Sequence, residues 1–130
     1  MAIEKTSFGP DAYPDSLFRL YAADPRSWFI VAKRARIVGY IIGRLDRWGA
    51  EIVSVAVLPE CRGQGIGRAL LQAIERRARR RGASSIRLMV RTDNLAALSF
   101  YRRQGFRSVG RIRDYYEDGG CAMRMRLSLR

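Results

Sequence analysis

The sequence predicts an α/β domain (α+β in the broader sense), in which helices flank both faces of a mixed central β-sheet to give three layers. Residues 52–58 form a nearly continuous β-branched run, the pattern of a central strand that is covered on both faces. A glycine-rich turn follows, and apolar residues then recur at helical spacing up to Gly82, a good C-terminal stop. Shorter apolar runs surround this strand–helix unit, which is typical of a layered domain.

The remaining elements follow from local signals, in the approximate order α-β-β-β-α-β-α-β-β. A short helix opens after Tyr13, where Asp15 or Ser16 can cap it, and ends at Pro25. A second capping position, Asp93 or Asn94, begins a helix that runs to Gly105. The predicted strands are residues 28–32, 37–45, 52–58, 86–90, 106–112 and 121–129. With 130 residues and no repeat or linker, we expect a single domain that spans residues 1–130.

The charge balance is strongly basic, with 25 Lys and Arg against 12 Asp and Glu and a formal net charge of +13. Such an excess concentrates anions at the surface, including phosphates, acidic peptides and nucleic acid, and it would suit weak association with the ribosome. Lysine occurs only at Lys5 and Lys33, so the bias is toward arginine, which contacts phosphate bidentately. An arginine-rich composition with a solvated surface explains the same numbers equally well.

Several function classes are excluded by what the sequence lacks. It contains no histidine, which removes His-based catalytic triads, most zinc sites and the commonest general base, and we expect no metal. Cys61 and Cys121 show neither metal-type nor CxxC spacing, so a reduced, cytoplasmic setting is expected. The first ten residues lack a signal-peptide core, and no apolar run reaches about 18 residues, so no membrane association is expected.

The glycine-rich turn between residues 62 and 67 is the first candidate site. A helix N-terminus carries unpaired N–H groups and about half a positive charge, which makes it an anion site. The three glycines, Gly63, Gly65 and Gly67, would let backbone amides approach a pyrophosphate closely. The spacing is neither a P-loop nor a dinucleotide fingerprint, whose third glycine would fall on Arg68. A glycine-rich turn without a ligand remains the alternative on this feature alone.

A second candidate lies on the next helix, where Asn94, Ala97 and Tyr101 are three and four residues apart and therefore share one face. An amide, a small residue and a phenol along one stripe could line a narrow ligand channel. Alternatively, Asn94 caps the helix and Tyr101 packs in the core.

Both segments resemble the GNAT acetyltransferases, over most of the chain from Ile30 onward. Residues 55–71 are similar to the family's motif A, with Arg62, Gly65 and Gly67 on its Arg/Gln-x-x-Gly-x-Gly/Ala pattern, and residues 94–106 match its Asn-x-x-Ala-x-x-x-Tyr-x-x-x-Gly-Phe segment. The resemblance implies acetyl-CoA as cosubstrate and a tyrosine that acts as general acid near the thioester sulfur, here Tyr101. It further implies binding of the pantetheine arm and pyrophosphate by Val55, Ala56, Val57, Arg62, Gly63, Gln64, Gly65, Ile66, Gly67, Arg68, Asn94, Ala97 and Tyr101.

The general base is harder to assign. Glu51 lies where histone lysine acetyltransferases carry their catalytic glutamate, yet it could equally be an ordinary carboxylate at a strand end. In ribosomal-protein alanine N-acetyltransferases the proposed base is a glutamate two residues before the arginine that corresponds to Arg91, and here that position is Met89. Without a strong general base, the acceptor amine must already be neutral in an appreciable fraction of molecules. This favours an α-amine, whose pKa is about 8, over a lysine side chain, whose pKa is about 10.4.

The acceptor is therefore expected to be a protein N-terminus, a ribosomal protein being one candidate. Residues 113–119 resemble the Tyr-Tyr hairpin of N-terminal acetyltransferases, which assigns Tyr115 and Tyr116 to the acceptor peptide. Residues 9–13 faintly resemble the acceptor loop of the archaeal and eukaryotic enzymes and add Asp11 and Tyr13. The alternatives are a GNAT that acetylates a lysine side chain or a small polyamine, and a non-catalytic ribosome- or RNA-docking module.

Overall fold

The structure, a computed structural model, describes residues 24–130. Asp11, Tyr13 and the start of the helix predicted after Tyr13 lie outside the described residues. The elements are strands β1 (Ser27–Lys33), β2 (Ile37–Asp46), β3 (Gly49–Val57), β4 (Ser85–Arg91), β5 (Arg107–Ile112) and β6 (Ala122–Ser128), helices α1 (Ile66–Arg80) and α2 (Leu95–Arg103), and a 3-10 turn at Pro59–Cys61.

These strands form one six-stranded mixed sheet in the order β1-β2-β3-β4-β6-β5. Only β3 and β4 run parallel, and α1 makes the crossover between them, as a parallel connection requires. The predicted α/β class with a mixed sheet is thereby confirmed. The central strand starts three residues earlier than its β-branched run, because Gly49 and Ala50 continue the hairpin opposite Asp46 and Leu45.

The sheet opens between its two parallel strands. β3 and β4 pair only at Ala50 with Ile86 and at Glu51 with Arg87, although both strands continue for several residues beyond. A bulge accompanies this parting: Ile42 lies opposite Ser54 and Gly43 opposite Ile52, which leaves Val53 as the extra residue of β3. Because a bulge bends and twists its strand, it turns the end of β3 away from β4 and leaves a gap between them.

The main core lies on one face of the sheet, which we call the helix face. Ile86, Leu88 and Val90 alternate along β4 and pack in one cluster with residues of both α1 and α2. Close approach of α1 depends on Gly43, where a Cβ would stand 2.9 Å from Cδ1 of Ile74. Packing of α1 and α2 against the helix face therefore determines where the N-termini of both helices lie.

The opposite side of the sheet, the second face, has a smaller apolar cluster of Tyr40, Ile42 and Ala56, with Phe29 stacked on Tyr40. Beyond the gap it becomes polar, because arginines of β4 and β6 alternate with residues of the main core and Arg107 of β5 lies opposite Arg126.

Candidate active site

A cavity of about 320 Å³ lies on the helix face, where the end of β3 meets the N-termini of α1 and α2. Most of the predicted cosubstrate residues line it together: Val55, Ala56, Val57, Arg62, Gly63, Gly65, Ile66, Gly67, Arg68, Asn94 and Ala97. Gln64 and Tyr101 are not part of this lining. The sequence interpretation missed four lining residues, Cys61, Ala96, Phe100 and Arg103.

The glycine turn has the backbone that an anion cradle needs. Gly63 and Gly65 adopt φ values of +78° and +81°, which L side chains rarely accept. A Cβ at either position would meet nothing within 4 Å, so the space in front of the turn is open. Gly65 is the N-cap of α1 and no side chain caps this helix, which leaves its first N–H groups available to a ligand. The turn therefore fits the pyrophosphate of acetyl-CoA.

Polar contacts among the described residues hold this turn in place. The Nε of Arg62 donates to the carbonyl of Val57 at 3.2 Å. The side chain of Gln64 accepts from Arg34 at 2.5 Å and donates to the carbonyl of Glu60 at 3.4 Å. Gln64 thus ties the glycine turn to the β1–β2 turn instead of facing the cavity.

A short ion pair joins the β1–β2 turn to the 3-10 turn that precedes the glycine turn. The Nη2 of Arg36 lies 2.8 Å from Oε2 of Glu60, with both side chains substantially exposed. Such a pair contributes little stability by itself, but together with the bond to Gln64 it limits how far the β1–β2 turn can move from the cradle.

Asn94 has two functions at the second helix. Its Oδ1 accepts a hydrogen bond from the Ala97 amide at 3.1 Å, which caps α2, and its side chain also borders the cavity. Because capping uses only the oxygen, the amide nitrogen can donate to a ligand. Ala97 follows on the same stripe and is buried, so it narrows the cavity wall without filling it.

Tyr101 lies one turn beyond Ala97 in the main core, where its side chain is 1% exposed. Phe100 and Phe106 contact its ring edge-to-face at centroid distances of 5.3 and 5.4 Å. Its hydroxyl has no hydrogen-bond partner among the described residues. Burial raises the pKa of the Tyr101 hydroxyl far above its usual value of 10, so this group stays protonated at physiological pH.

Glu51 is not a lining residue of the cavity. It is half-buried in β3 at the last position that pairs with β4, opposite Arg87 on one side and Arg44 on the other. Four residues separate it from Val55, a rise of about 13 Å along a strand. The structure does not bring Glu51 and Tyr101 together at the cavity wall.

The Tyr-Tyr hairpin between β5 and β6 lies beside the outer end of β4. The guanidinium of Arg91 stacks on the ring of Tyr116 at 4.0 Å, and the same group contacts both carboxylate oxygens of Asp118 at 3.0 and 3.1 Å. Asp118 also accepts from the Gly120 amide at 2.9 Å, and these bonds lower the pKa of its carboxyl group. Tyr115 is half exposed and contacts Tyr116 edge-to-face.

Arg91 therefore holds the β5–β6 hairpin through Tyr116 and Asp118, whereas the sequence indicated only the two tyrosines. No local pattern could pair Arg91 with Asp118, because the two residues are 27 positions apart in the sequence. Only their opposite charges were compatible with a contact. Phe100 could have been found as the neighbour of Tyr101, whereas Cys61 and Arg103 carry no signal of a site in the sequence.

The described residues contain no group of three or more His, Cys, Asp or Glu side chains that could hold a metal ion. Within the same range, no helix is both long and apolar enough to cross a membrane. Both cysteines are free thiols, and Cys61 is buried.

Comparison with known proteins adds the family. A model of the acetyltransferase (GNAT) family matches residues 2–106. The N-alpha-acetyltransferase RimI of Mycobacterium tuberculosis is 37% identical over 118 residues, which cover 87% of this chain and 73% of the relative. Naa20 of Chaetomium thermophilum, solved with a bisubstrate analogue, superposes with a TM-score of 0.81 at 31% identity, covering 92% and 75% of the two chains.

A third similar protein has an acceptor of another kind. The crystal structure of nourseothricin acetyltransferase superposes with a TM-score of 0.77 at 31% identity, covering 82% of this chain and 68% of the other. The family model matches most of the sequence, and the structure contains the mixed sheet, its gap and the glycine cradle. The chain therefore belongs to the GNAT acetyltransferase family and is an N-acetyltransferase.

Proposed function

We propose that this enzyme transfers the acetyl group of acetyl-CoA to the α-amino group of a protein N-terminus. The observation that carries the acceptor is the Arg91-held hairpin, which presents Tyr115 and Tyr116 beside the gap in the sheet. Relatives named for N-alpha-acetylation support the same acceptor. Both cysteines are free, as in the cytoplasmic setting that we propose for this activity.

Acetyl-CoA is the cosubstrate, and its thioester supplies the activated acetyl group. The open amides from Gly63 to Gly67 bind its pyrophosphate, and Arg62 and Arg68 add positive charge at the cavity wall. The end of β3 no longer pairs with β4, so backbone groups of Val55, Ala56 and Val57 can bind the pantetheine arm in place of a neighbouring strand. The amide nitrogen of Asn94 supplies a donor from the other wall.

In the reaction a neutral amine attacks the thioester carbonyl, an N–C bond forms, the C–S bond breaks and the amine loses one proton. Tyr101 is our proposed acid for the departing sulfur. Its hydroxyl is protonated, buried and without a partner among the described residues, so it can donate to a group that arrives with the cosubstrate. A thiol with a pKa of about 8.5 needs only modest help from an acid.

Glu51 is the proposed base, and it would act through water. It lies four positions before Val55, the start of the proposed pantetheine segment, and it does not line the cavity, so we place a water molecule between Glu51 and the amine. An α-amine with a pKa of about 8 is already neutral in about a tenth of molecules at pH 7, so a weakly assisted deprotonation suffices.

A panel of acceptors tests the proposal. Peptides with a free N-terminus should be acetylated, and the same sequences with a blocked N-terminus and an internal lysine should not. Acetylation of lysine side chains or of a polyamine at equal or greater kcat/KM would assign the enzyme to the alternative class. The likeness to nourseothricin acetyltransferase is the observation that favours a small-molecule amine, so a streptothricin-type amine belongs in the panel.

A further inference from the structure

Three arginines lie together on the second face, on the side of the sheet that follows the gap. Along β6, Met123, Met125 and Leu127 pack into the main core, so Arg124 and Arg126 between them face the opposite side. Arg107 of β5 is paired with Arg126 and shares its face. We call Arg107, Arg124 and Arg126 the arginine cluster.

None of the three arginines forms an ion pair with an acidic side chain in the described part of the chain. Arg126 lies between Arg107 on β5 and Arg87 on β4, but only Arg87 is paired, through two hydrogen bonds to the carboxylate of Asp46. The three cluster arginines are exposed and form no ion pair with described residues. Like charges on directly opposite strand positions are unfavourable, so the fold gains nothing from this arrangement and an anion would relieve it.

Arg124 brings this charge to the edge of the gap. It pairs with Met89, which lies on β4 beyond the last residue that pairs with β3. Its stem passes over Gly110, where an added Cβ would be 3.8 Å from its Cδ. One strand spacing, about 4.8 Å, therefore separates Arg124 from the strand that borders the gap. An acceptor that enters the gap from the second face would come within about one strand spacing of Arg124.

From this geometry we propose that the enzyme prefers acceptor N-termini whose first residues are followed by acidic side chains. This inference rests on the proposed N-terminal acetylation and specifies its substrate class. Arg124 and Arg126 are two residues apart, a span of about 6.6 Å, which an extended peptide covers with about two residues of its own. Asp or Glu at the second to fifth positions of the acceptor can thus reach the cluster, and a strongly basic segment is repelled.

The experiment compares three peptides with the same first residue and with acidic, neutral or basic residues at positions two to five. We expect kcat/KM to fall in that order, and the ratio of acidic to basic to shrink as salt is raised. An exposed charge pair contributes a factor of about 1.5 to 5, so Arg124→Gln with Arg126→Gln should lower the acidic-to-neutral ratio about 2- to 25-fold. Arg124→Glu with Arg126→Glu should reverse the preference.

A variant of equal net charge is the control. Arg76 and Arg80 are exposed on α1 and do not line the cavity, so Arg76→Gln with Arg80→Gln should leave all three rates in their wild-type ratio. Equal kcat/KM for the three peptides, or equal losses in the cluster and control variants, overturns the inference. Inhibition of every peptide alike by an RNA oligonucleotide, without acidic preference, would make the cluster a nucleic-acid surface instead. If no free N-terminus is acetylated although acetyl-CoA binds, the proposed function itself fails.

Discussion

Replacing Tyr101 by phenylalanine should make the protein more stable and the enzyme slower. The side chain is 1% exposed and its hydroxyl has no partner among the described residues. Phenylalanine keeps the ring and its edge-to-face contacts with Phe100 and Phe106 while removing the polar atom. With Tyr101 as the proposed acid, a cost in stability at this position would be the trade that is common at active sites.

The magnitude follows from the cost of an unsatisfied buried polar group, which is about 1 to 3 kcal/mol. Tyr101→Phe should recover most of that amount, because the change leaves no cavity larger than one oxygen atom. For a chain of this size each kcal/mol corresponds to about 3 to 6 °C in Tm. Loss of a positioned acid should lower kcat by at least about tenfold, while the Kd for acetyl-CoA changes little.

Alkaline pH gives an independent check on the hydroxyl. Its pKa is raised in the folded state, whereas the unfolded chain releases this proton near pH 10. Above about pH 10 the unfolded state therefore binds fewer protons, and wild-type stability falls with pH by up to about 1.4 kcal/mol per unit. Tyr101→Phe lacks this contribution, so the difference in unfolding free energy should be constant below pH 10 and widen in favour of phenylalanine above it.

Chemical denaturation across this pH range measures the stability terms, and thiol release from acetyl-CoA measures turnover. A variant that is less stable than wild type would mean that the hydroxyl has a partner, and the cost argument would be wrong. Unchanged turnover would remove Tyr101 from the reaction.

Three other substitutions probe the cradle, the hairpin and the base. Gly65→Ala and its control Gly82→Ala each add a Cβ in open space to a residue with φ near +80°, which should lower the unfolding free energy by about 1 to 2 kcal/mol. Only Gly65→Ala should raise the Kd for acetyl-CoA, as measured by calorimetry. Gly120→Ala places a Cβ 2.5 Å from the guanidinium that holds the hairpin and should raise KM for peptides severalfold; a KM equal to that of the wild type would contradict the role of the hairpin. Glu51→Gln should move the pH–rate profile for kcat to higher pH. An unshifted profile would mean that water alone accepts the proton of the amine.

Much of the fold was predictable because local patterns dominate it. The β-branched run of β3 and the apolar stripe of α1 reflect burial that is periodic in the sequence, and the structure places both within three residues of the predicted ends. The cradle was predictable for the same reason, since a turn of glycines before a helix sets backbone conformation locally. The stripe of Asn94, Ala97 and Tyr101 follows from helical spacing, but the burial of the Tyr101 hydroxyl without a partner among the described residues depends on packing that no pattern encodes.

What escaped prediction depends on strand register. In the sequence, Arg107, Arg124 and Arg126 cannot be told apart from the other arginines of a chain with a net charge of +13. Antiparallel pairing sets Arg107 opposite Arg126 and Arg124 beside Met89. A shift of one residue in either strand would send these side chains into the apolar core, which their charge forbids. The methionines and leucine between them thus fix the register, and the register concentrates the charge beside the gap. Because this alternation places apolar residues on the helix face and arginines on the second face, the acceptor preference that we propose would follow from how the core packs.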